Sequence, residues 1–326
     1  MDLPTENYRL PISTPWTGRT VDPALGIQYW HQAVELIDLT DPGFRGELPK
    51  IALLGYACDA GVRRNQGRPG AVQGPEAIRQ RLAKLAFHHQ DIFVEDVGDI
   101  FCKGDELEAA QHALATAVAQ LLQSGRFPIV LGGGHDVAFG HFRGIRAAHP
   151  GAKIGIVNLD AHFDLRPVRD APNSGTPFWQ ILSEEPADRV RYAAVGIQRA
   201  SNPRELFDIA ARQKVLYVLH DRCRPRDVES VAERLDDYLA DCDHVYLTID
   251  LDGISSAYAP GVSAPSPVGL EPRFVFGLVE KMLASGRVVS VDLAELNPEF
   301  DRDHSTANLA ARLVDAICTA SFTTAV

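Results

Sequence analysis

The chain has 326 residues, of which 45% are hydrophobic and 23% are charged. This composition indicates a globular protein long enough to bury a substantial core, and it excludes a disordered, collagen-like or coiled-coil chain. The formal net charge of -11 disfavours nucleic acid and anionic membranes as partners, because an acidic surface is repelled by both.

The order of apolar runs and helical patterns predicts an N-terminal arm over residues 1–50 and a single domain over 51–326. The arm is rich in proline and threonine, with one predicted helix at Trp30–Ile37. In the domain, short apolar runs alternate with helical patterns, which is typical of an α/β fold around a mostly parallel sheet. The predicted strands are Ile51–Gly55, Ile92–Val97, Phe127–Leu131, Ile154–Leu159, Arg191–Ile197, Val215–Leu219, His244–Ile249 and Arg287–Leu293. The predicted helices include Pro75–Phe87, Glu106–Leu122, Arg226–Leu239 and Ala307–Ala320.

The cysteines and the N-terminus bear on the compartment. Five cysteines are scattered without a C-x-x-C pair, which argues against a disulfide framework and against a thiolate metal site. The first residues carry acids and prolines where a secretory signal needs an apolar run, and no apolar stretch approaches the length of a membrane span. The sequence therefore predicts a soluble cytoplasmic protein with a small-molecule ligand and without a membrane or nucleic-acid partner.

Three of the predicted strands end in residues that could coordinate a metal ion. In an open parallel sheet, ligands bind beyond the carboxyl ends of the strands. One strand leads through a glycine turn to a histidine, and two others lead to acids and a histidine at alternate positions, which is the spacing that aims side chains of an extended segment the same way. The six candidate ligands are His135, Asp160, His162, Asp164, Asp250 and Asp252.

Four carboxylates in one buried site require compensating charge, and two divalent cations would balance them. Carboxylates and imidazoles without sulfur favour Mn(II), with Fe(II), Co(II), Ni(II) and Zn(II) as alternatives. The pattern thus predicts a dinuclear site and hydrolysis at an electrophilic carbon by a bridging hydroxide. Two interpretations are weaker: that these residues are only caps and turn formers, and that the glycines form a dinucleotide-binding loop, whose spacing fails at Val137.

The stretches GGGHD at 132–136, DAHFD at 160–164 and IDLD at 249–252 resemble signatures of the ureohydrolase family, which includes arginase, agmatinase and formimidoylglutamase. The resemblance extends from about Leu53 to the C-terminus. It implies the three-layer α/β/α fold of the arginases and deacetylases, with two manganese ions per subunit. The implied ligand sets are His135 and Asp164 at one ion, His162 and Asp252 at the other, and Asp160 and Asp250 as bridges.

The same resemblance implies two catalytic carboxylates. Glu295, within VDLAELNP at 291–298, matches the family carboxylate that holds a cationic amidine or guanidine, and Asp164 would pass a proton to the leaving amine. Arginases and agmatinases carry a histidine after the Ser-Gly segment, whereas Phe178 takes that place here. His141 and His304 are conceivable replacements, although each is better interpreted as a core or surface histidine.

Within the family, the segments at 16–19 and 30–32 and the loop GVRRNQGRPGA at 61–71 resemble the formimidoylglutamase group. This interpretation places Arg64, Asn65 or Arg68 over the mouth of the site, with an ordinary solvated loop as the alternative.

Two further features concern a substrate carboxylate. Arg166 carries a planar fork suited to a carboxylate, where arginases carry a neutral amide residue. The hydroxyls of Ser174 and Thr176 could reach a carboxylate as well.

These features favour N-formimidoyl-L-glutamate, which has an amidinium and two carboxylates, over arginine. We therefore expect hydrolysis of this compound to L-glutamate and formamide, a late step in histidine degradation. The alternatives are a guanidino-acid ureohydrolase that releases urea, a deacetylase, which needs fewer metal ligands, and a non-catalytic metal-binding regulator. Because members of the family are often oligomeric, a homo-oligomer is expected.

Overall fold

The computed structural model describes residues 3–41, 50–89 and 92–322, which together contain a ten-stranded sheet with helices around it. The strands are β1 (Tyr8–Arg9), β2 (Val34–Leu36), β3 (Lys50–Ala57), β4 (Phe93–Phe101), β5 (Arg126–Leu131), β6 (Ile154–Leu159), β7 (Val190–Ile197), β8 (Leu216–Leu219), β9 (His244–Asp250) and β10 (Val288–Ala294). The helices are α1 (Trp30–Ala33), α2 (Ala60–Arg64), α3 (Gly74–Leu82), α4 (Leu107–Gln123), α5 (Val137–Ala148), α6 (Pro177–Glu184), α7 (Arg204–Arg212), α8 (Val228–Tyr238), α9 (Pro272–Ala284) and α10 (Ser305–Phe322).

The order of strands across the sheet is β1-β4-β3-β5-β10-β9-β6-β7-β8, and β2 also pairs with β4. Within the described residues, every strand pair is parallel except that of β1 with β4. The central strands bury both faces, as the predicted apolar runs require. In β3, Ile51 and Leu53 pack on the side of α3, α8, α9 and α10, whereas Ala52 and Leu54 pack on the side of α4, α5, α6 and α7. The predicted three-layer α/β/α fold is thereby confirmed.

Each predicted strand is present, and Ile154–Leu159 agrees with β6 at both ends. The largest difference is in β4, which continues to Phe101 instead of ending at Val97. The extension follows from pairing, because β1 lies beside Asp99 and Ile100 and β3 continues beside Phe101.

The helix predicted over Trp30–Ile37 is wrong beyond its first turn. Helix α1 ends at Ala33, and β2 then runs parallel to β4, with Val34 beside Val94. Pairing at an open sheet edge outweighs the local helical pattern there, and the β-branched Val34 suits the strand.

The predicted helix Pro75–Phe87 also ends early, since α3 stops at Leu82. Beyond it, the carbonyl oxygen of Ala83 accepts a hydrogen bond from the amide of His31, and that of Leu85 from the amide of Trp30, at 3.2 and 3.1 Å. These carbonyls are therefore bonded to the N-terminal arm instead of to a continued helix.

The N-terminal arm packs against the sheet and against the last helix. The indole of Trp16 donates to Asp96 Oδ2 in β4 at 2.7 Å, and the indole of Trp30 donates to Asp315 Oδ1 in α10 at 2.9 Å. Residues 1–2 and 42–49 of the predicted arm lie outside the described residues.

In the described part of the chain, no helix combines the length and the apolar character needed to span a lipid bilayer.

Candidate metal centre and substrate cavity

The candidate site lies at the carboxyl ends of β5, β10, β9 and β6, which are neighbours at the middle of the sheet. Asp160 and Glu295 directly follow β6 and β10, and Asp250 is the last residue of β9. His135 comes four positions after Leu131, the last residue of β5. Parallel strands thus bring residues that are distant in sequence to one edge, as the sequence predicts.

The glycine turn after β5 fixes the position of His135. A Cβ atom on Gly133 would collide with the carbonyl oxygen of Cys58, so no larger residue fits without moving the backbone. The amide of Gly134 donates to the same carbonyl at 2.9 Å. The amide of His135 then donates to Glu295 Oε1 at 2.8 Å, which ties the turn to the end of β10.

The predicted ligands form two groups that could each hold a metal ion. In the first group, His135 Nδ1 lies 2.9 Å from Asp164 Oδ2, 2.9 Å from Asp250 Oδ2 and 3.3 Å from Asp160 Oδ2. In the second group, His162 Nδ1 lies 3.3 Å from both Asp160 Oδ1 and Asp252 Oδ1. The structure therefore brings the six predicted residues together.

The two groups share Asp160, one of whose oxygens faces each group. Asp250 belongs to the first group alone, because its carboxylate does not lie within 4.8 Å of every ligand atom of the second. A bridging role of Asp250 remains a prediction.

The pKa values show how much negative charge converges here. Burial, and after it the charge of Asp250, raises the pKa values of Asp252 and Glu295 well above their ordinary values. Burial and the charge of Asp160 likewise raise the pKa of Asp164. Burial lowers the pKa of His135, but Asp250 and the other carboxylates outweigh it and raise that pKa well above its usual range. Carboxylates this close to one another require cations or protons to compensate them.

The site also contains buried carboxylate oxygens that make no hydrogen bond within the described protein. Both oxygens are shielded from solvent; Glu295 Oε2 has no hydrogen-bond partner among the described residues, and Asp252 Oδ1 has only the 3.3 Å ion-pair contact with His162 Nδ1. Buried carboxylate oxygens are normally paired, so these atoms indicate groups that the protein alone does not supply. Oxygen and imidazole donors suit divalent cations of the Mn(II) type, and the ligand groups fit such ions.

A cavity of about 310 Å³ opens over these groups. Asn65, Arg166 and Ser174, three of the predicted substrate-binding residues, line it. Asn65 Nδ2 donates to Ser174 Oγ at 3.0 Å, and Arg166 Nη1 donates to Asn65 Oδ1 at 3.1 Å. These three side chains form one polar wall beside the metal-ligand groups.

Two predicted substrate contacts need correction. Arg64 does not line the cavity, because its guanidinium turns toward α4 and lies 2.8 Å from Glu108 Oε1 and 3.1 Å from Asp105 Oδ2. Thr176 is buried, and its hydroxyl is hydrogen-bonded to Asn173 O and Gln180 Oε1. Both side chains support the loops around the cavity.

The sequence analysis did not predict all the residues that line the cavity. Ser263 and Asn202 line the cavity without having been predicted, and Arg68, one of three alternatives, lines it as well. Asn202 accepts a hydrogen bond from the amide of Phe163 at 3.0 Å and donates to Ala161 O at 2.8 Å, so it holds the ligand loop after β6. A polar side chain soon after a predicted strand was the available signal.

Phe178, expected from the family resemblance to stand where other members carry a histidine, is buried beside the predicted ligand His135. Its ring centroid lies 5.4 Å from that of His135 and 4.3 Å from that of Tyr192. His141 is buried elsewhere with Asp292, and His304 is exposed outside the cavity. In the described part of the chain, the histidines that line the cavity are His135 and His162, the two predicted ligands.

Three residues at the cavity have positive φ angles, a backbone conformation that residues other than glycine rarely adopt. The φ angles of Gln66, Asp164 and Glu295 are 62°, 47° and 67°. Such conformations persist only where the surrounding structure enforces them, and they are common at functional sites.

Comparisons with known proteins place these features in context. The arginase family profile matches residues 49–319. A formimidoylglutamase of Geobacillus thermodenitrificans is 44% identical over 93% of this chain and 94% of its own length. A formimidoylglutamase of Rhodococcus opacus is 44% identical over 96% of this chain and 97% of its own length. Among solved structures, Trypanosoma cruzi formiminoglutamase with Mn2+ is 27% identical, with a TM-score of 0.75 over 86% of this chain and 96% of that one. The formimidoylglutamase of Bacillus subtilis is 20% identical, with a TM-score of 0.83 over 94% and 95%, which supports the fold.

Proposed function

This chain belongs to the arginase family, and from that premise we propose that it hydrolyses N-formimidoyl-L-glutamate to L-glutamate and formamide. The observation that carries the proposal is the 44% identity to relatives named formimidoylglutamase over nearly the whole chain. The cavity supports it, because metal-ligand groups lie beside a wall that carries an arginine.

We propose two Mn2+ ions per subunit, in line with the Mn2+ of the Trypanosoma relative. When bound, such ions supply a nucleophile from water at neutral pH and stabilise charge that develops on the substrate. The proposed ligands are His135, Asp160, Asp164 and Asp250 at one ion and Asp160, His162 and Asp252 at the other, with Asp250 as a second bridge.

Glu295 is proposed to bind the amidinium of the substrate. Its Oε1 accepts the amide of His135, which leaves Oε2 without a partner in the described structure and next to the cavity. A buried carboxylate oxygen of this kind pairs strongly with the N–H groups of a cation. The contact would orient the formimidoyl carbon toward the metal ligands.

Asp164 is proposed to move the proton. Its Oδ2 faces His135 Nδ1 at 2.9 Å, so Oδ1 is the atom assigned to the transfer. Water adds to the formimidoyl carbon and passes one of its protons to Asp164. The bond from that carbon to the glutamate nitrogen then breaks, and Asp164 delivers this proton to the leaving nitrogen. Phe178 cannot take part in this transfer, since it has no titratable group.

The substrate also carries carboxylates, for which we propose the wall of Arg166, Asn65 and Ser174. Arg166→Ala is expected to raise KM by about 10-fold with a smaller change in kcat, because a carboxylate far from the reacting carbon is held equally in the ground and transition states. Steady-state kinetics with N-formimidoyl-L-glutamate measure both constants.

The matched control is Arg64→Ala, which removes an arginine whose side chain pairs with Asp105 and Glu108 outside the cavity. Its KM should stay near that of the wild type. Unchanged constants in Arg166→Ala would remove Arg166 from the substrate site.

The function is tested by stripping the protein with a chelator, restoring Mn2+ and measuring glutamate release from N-formimidoyl-L-glutamate. Urea release from guanidino acids is measured alongside. We expect metal-dependent glutamate release and no urea. Urea without glutamate would overturn the substrate assignment but keep the metal chemistry, and neither product from metal-loaded protein would indicate a binding role.

The remaining proposals rest on the sequence. We propose one catalytic domain over 51–326 behind an N-terminal arm, a cytoplasmic location and a homo-oligomeric state. Light scattering on the purified protein measures the last of these.

A further inference from the structure

A chain of buried hydrogen bonds lies behind the ligand His135. Its Nε2, on the side of the ring away from the carboxylates, lies 3.0 Å from Thr248 Oγ1. The hydroxyl of Thr248 donates to Asp292 Oδ1 at 2.6 Å. Thr248 and Asp292 stand side by side in the register of β9 and β10, so the sheet itself fixes their spacing. None of the three side chains is more than 1% exposed.

The second carboxylate oxygen of Asp292 is also hydrogen-bonded. Its Oδ2 accepts hydrogen bonds from the hydroxyl of Tyr246 and from His141 Nδ1, the latter at 2.7 Å. Both of these residues are fully buried. The carboxylate of Asp292 is thus surrounded by donors on both oxygens, and it cannot turn toward the metal-ligand groups.

The arrangement places a proton on Nε2 of His135. The hydroxyl of Thr248 has one hydrogen, and that hydrogen goes to Asp292. The oxygen of Thr248 therefore accepts from His135 Nε2, which must be protonated. Nδ1, the atom that faces Asp160, Asp164 and Asp250, is then the nitrogen that a metal ion would bind in place of a proton.

A catalytic triad of Ser290, His141 and Asp292 is excluded because all three residues are buried. Ser290, His141 and Asp292 have the spacing of a hydrolase triad, with His141 Nε2 2.6 Å from Ser290 Oγ. All three are completely buried, and none lines the cavity above the metal-ligand groups. No substrate can reach Ser290, so the set supports the sheet interior instead of catalysing a reaction.

We propose that Thr248 and Asp292 are positioning residues that hold the ring of His135 with Nδ1 toward the metal and thereby set the metal affinity of the first ligand group. Neither residue touches the ion or the substrate. The inference rests on the proposed function, because it takes His135 as a ligand. It adds that the metal affinity of the first ligand group depends on the hydroxyl of Thr248 and the carboxylate of Asp292 in the interior of the sheet.

The test is Thr248→Val, which replaces the hydroxyl by a methyl group of similar size. The bond to His135 Nε2 is lost, and a histidine ligand without its outer partner binds metal about 10- to 100-fold more weakly. Calorimetric titration of chelator-treated full-length protein with Mn2+ alone should show this loss for one ion, while the other ion, held by Asp160, His162 and Asp252, changes far less. The visible spectrum of the Co2+ form should change as the ring turns.

Two controls separate positioning from general stability. Thr248→Ser keeps the hydroxyl and should retain wild-type affinity. Thr116→Val removes another buried threonine hydroxyl, one that bonds only to its own helix at His112 O, and should lower thermal stability without changing either metal affinity. If Thr248→Val does not fold, Thr248→Ser against Thr248→Ala gives the same comparison, since both lack the methyl group and only the first keeps the oxygen.

The outcomes are distinguishable. Wild-type protein that binds no Mn2+ would refute the proposed function itself. Wild-type protein with two ions, together with a Thr248→Val variant that keeps both affinities or loses both in parallel, would overturn the positioning role alone.

Discussion

Asp160→Ala is expected to abolish turnover and to strip the protein of bound metal. Asp160 is the one residue shared by both ligand groups, with Oδ2 facing His135 and Oδ1 facing His162. Its substitution removes a ligand from each group and leaves two imidazoles without a charged partner between them. The loss of several kcal/mol of metal-derived stabilisation corresponds to a rate reduction of about 1,000-fold or more.

The measurements are glutamate release with Mn2+ in excess and metal content after gel filtration. Asp250→Ala should behave in the same way if Asp250 bridges the ions. Asp170→Ala is the matched control, since it removes an exposed acid from the loop that follows the same strand. Wild-type activity in Asp160→Ala or Asp250→Ala would exclude the dinuclear hypothesis.

Glu295→Gln is expected to lower kcat/KM by about 100- to 1,000-fold while both metal ions stay bound. The amide oxygen of glutamine can still accept the hydrogen bond of the His135 amide, so the turn is preserved. The amide nitrogen then takes the place of Oε2 and presents N–H groups to a cation that needs an acceptor. Removing one partner of a buried charge pair costs about 3–4 kcal/mol, which gives this range.

Metal content distinguishes this effect from that of the ligand variants, because Glu295 belongs to neither ligand group. Glu299→Gln, a change at an exposed acid four residues further along, should leave both kinetics and metal content unchanged. Loss of metal from Glu295→Gln, or full activity, would contradict the assignment of the amidinium to Glu295.

The sequence could predict the ligands because the rules behind them are local. A buried strand ends at a recognisable residue, alternate positions share a face, and the carboxyl ends of parallel strands meet at one edge. Asp160 and Asp250 satisfy all three conditions, so their convergence followed from the pattern alone. Thr248 obeys the same alternation, two residues before Asp250, and could have been found with it.

The cavity wall was harder to predict because it is built from loops and helix ends. Arg64 and Asn65 are adjacent, yet Arg64 turns toward α4 and Asn65 turns into the cavity. The direction depends on where α2 ends, and each residue of a helix rotates the next side chain by about 100°. The strand β2 escaped prediction for a related reason, since its pairing partner β4 lies about sixty residues later in the chain.

The place of β10 in the sheet has a consequence for biosynthesis. This strand is among the last elements to leave the ribosome, yet it lies at the middle of the sheet, between β5 and β9. Until residues 288–294 emerge, the earlier strands can form only two half-sheets, each with an open inner edge that attracts other chains. The metal-ligand groups are divided between those halves, with His135 after β5 and the aspartates after β6 and β9. A nascent chain therefore brings the proposed metal ligands together only when synthesis is nearly finished. A chain truncated before β10 carries both the aggregation-prone edges and divided ligand groups.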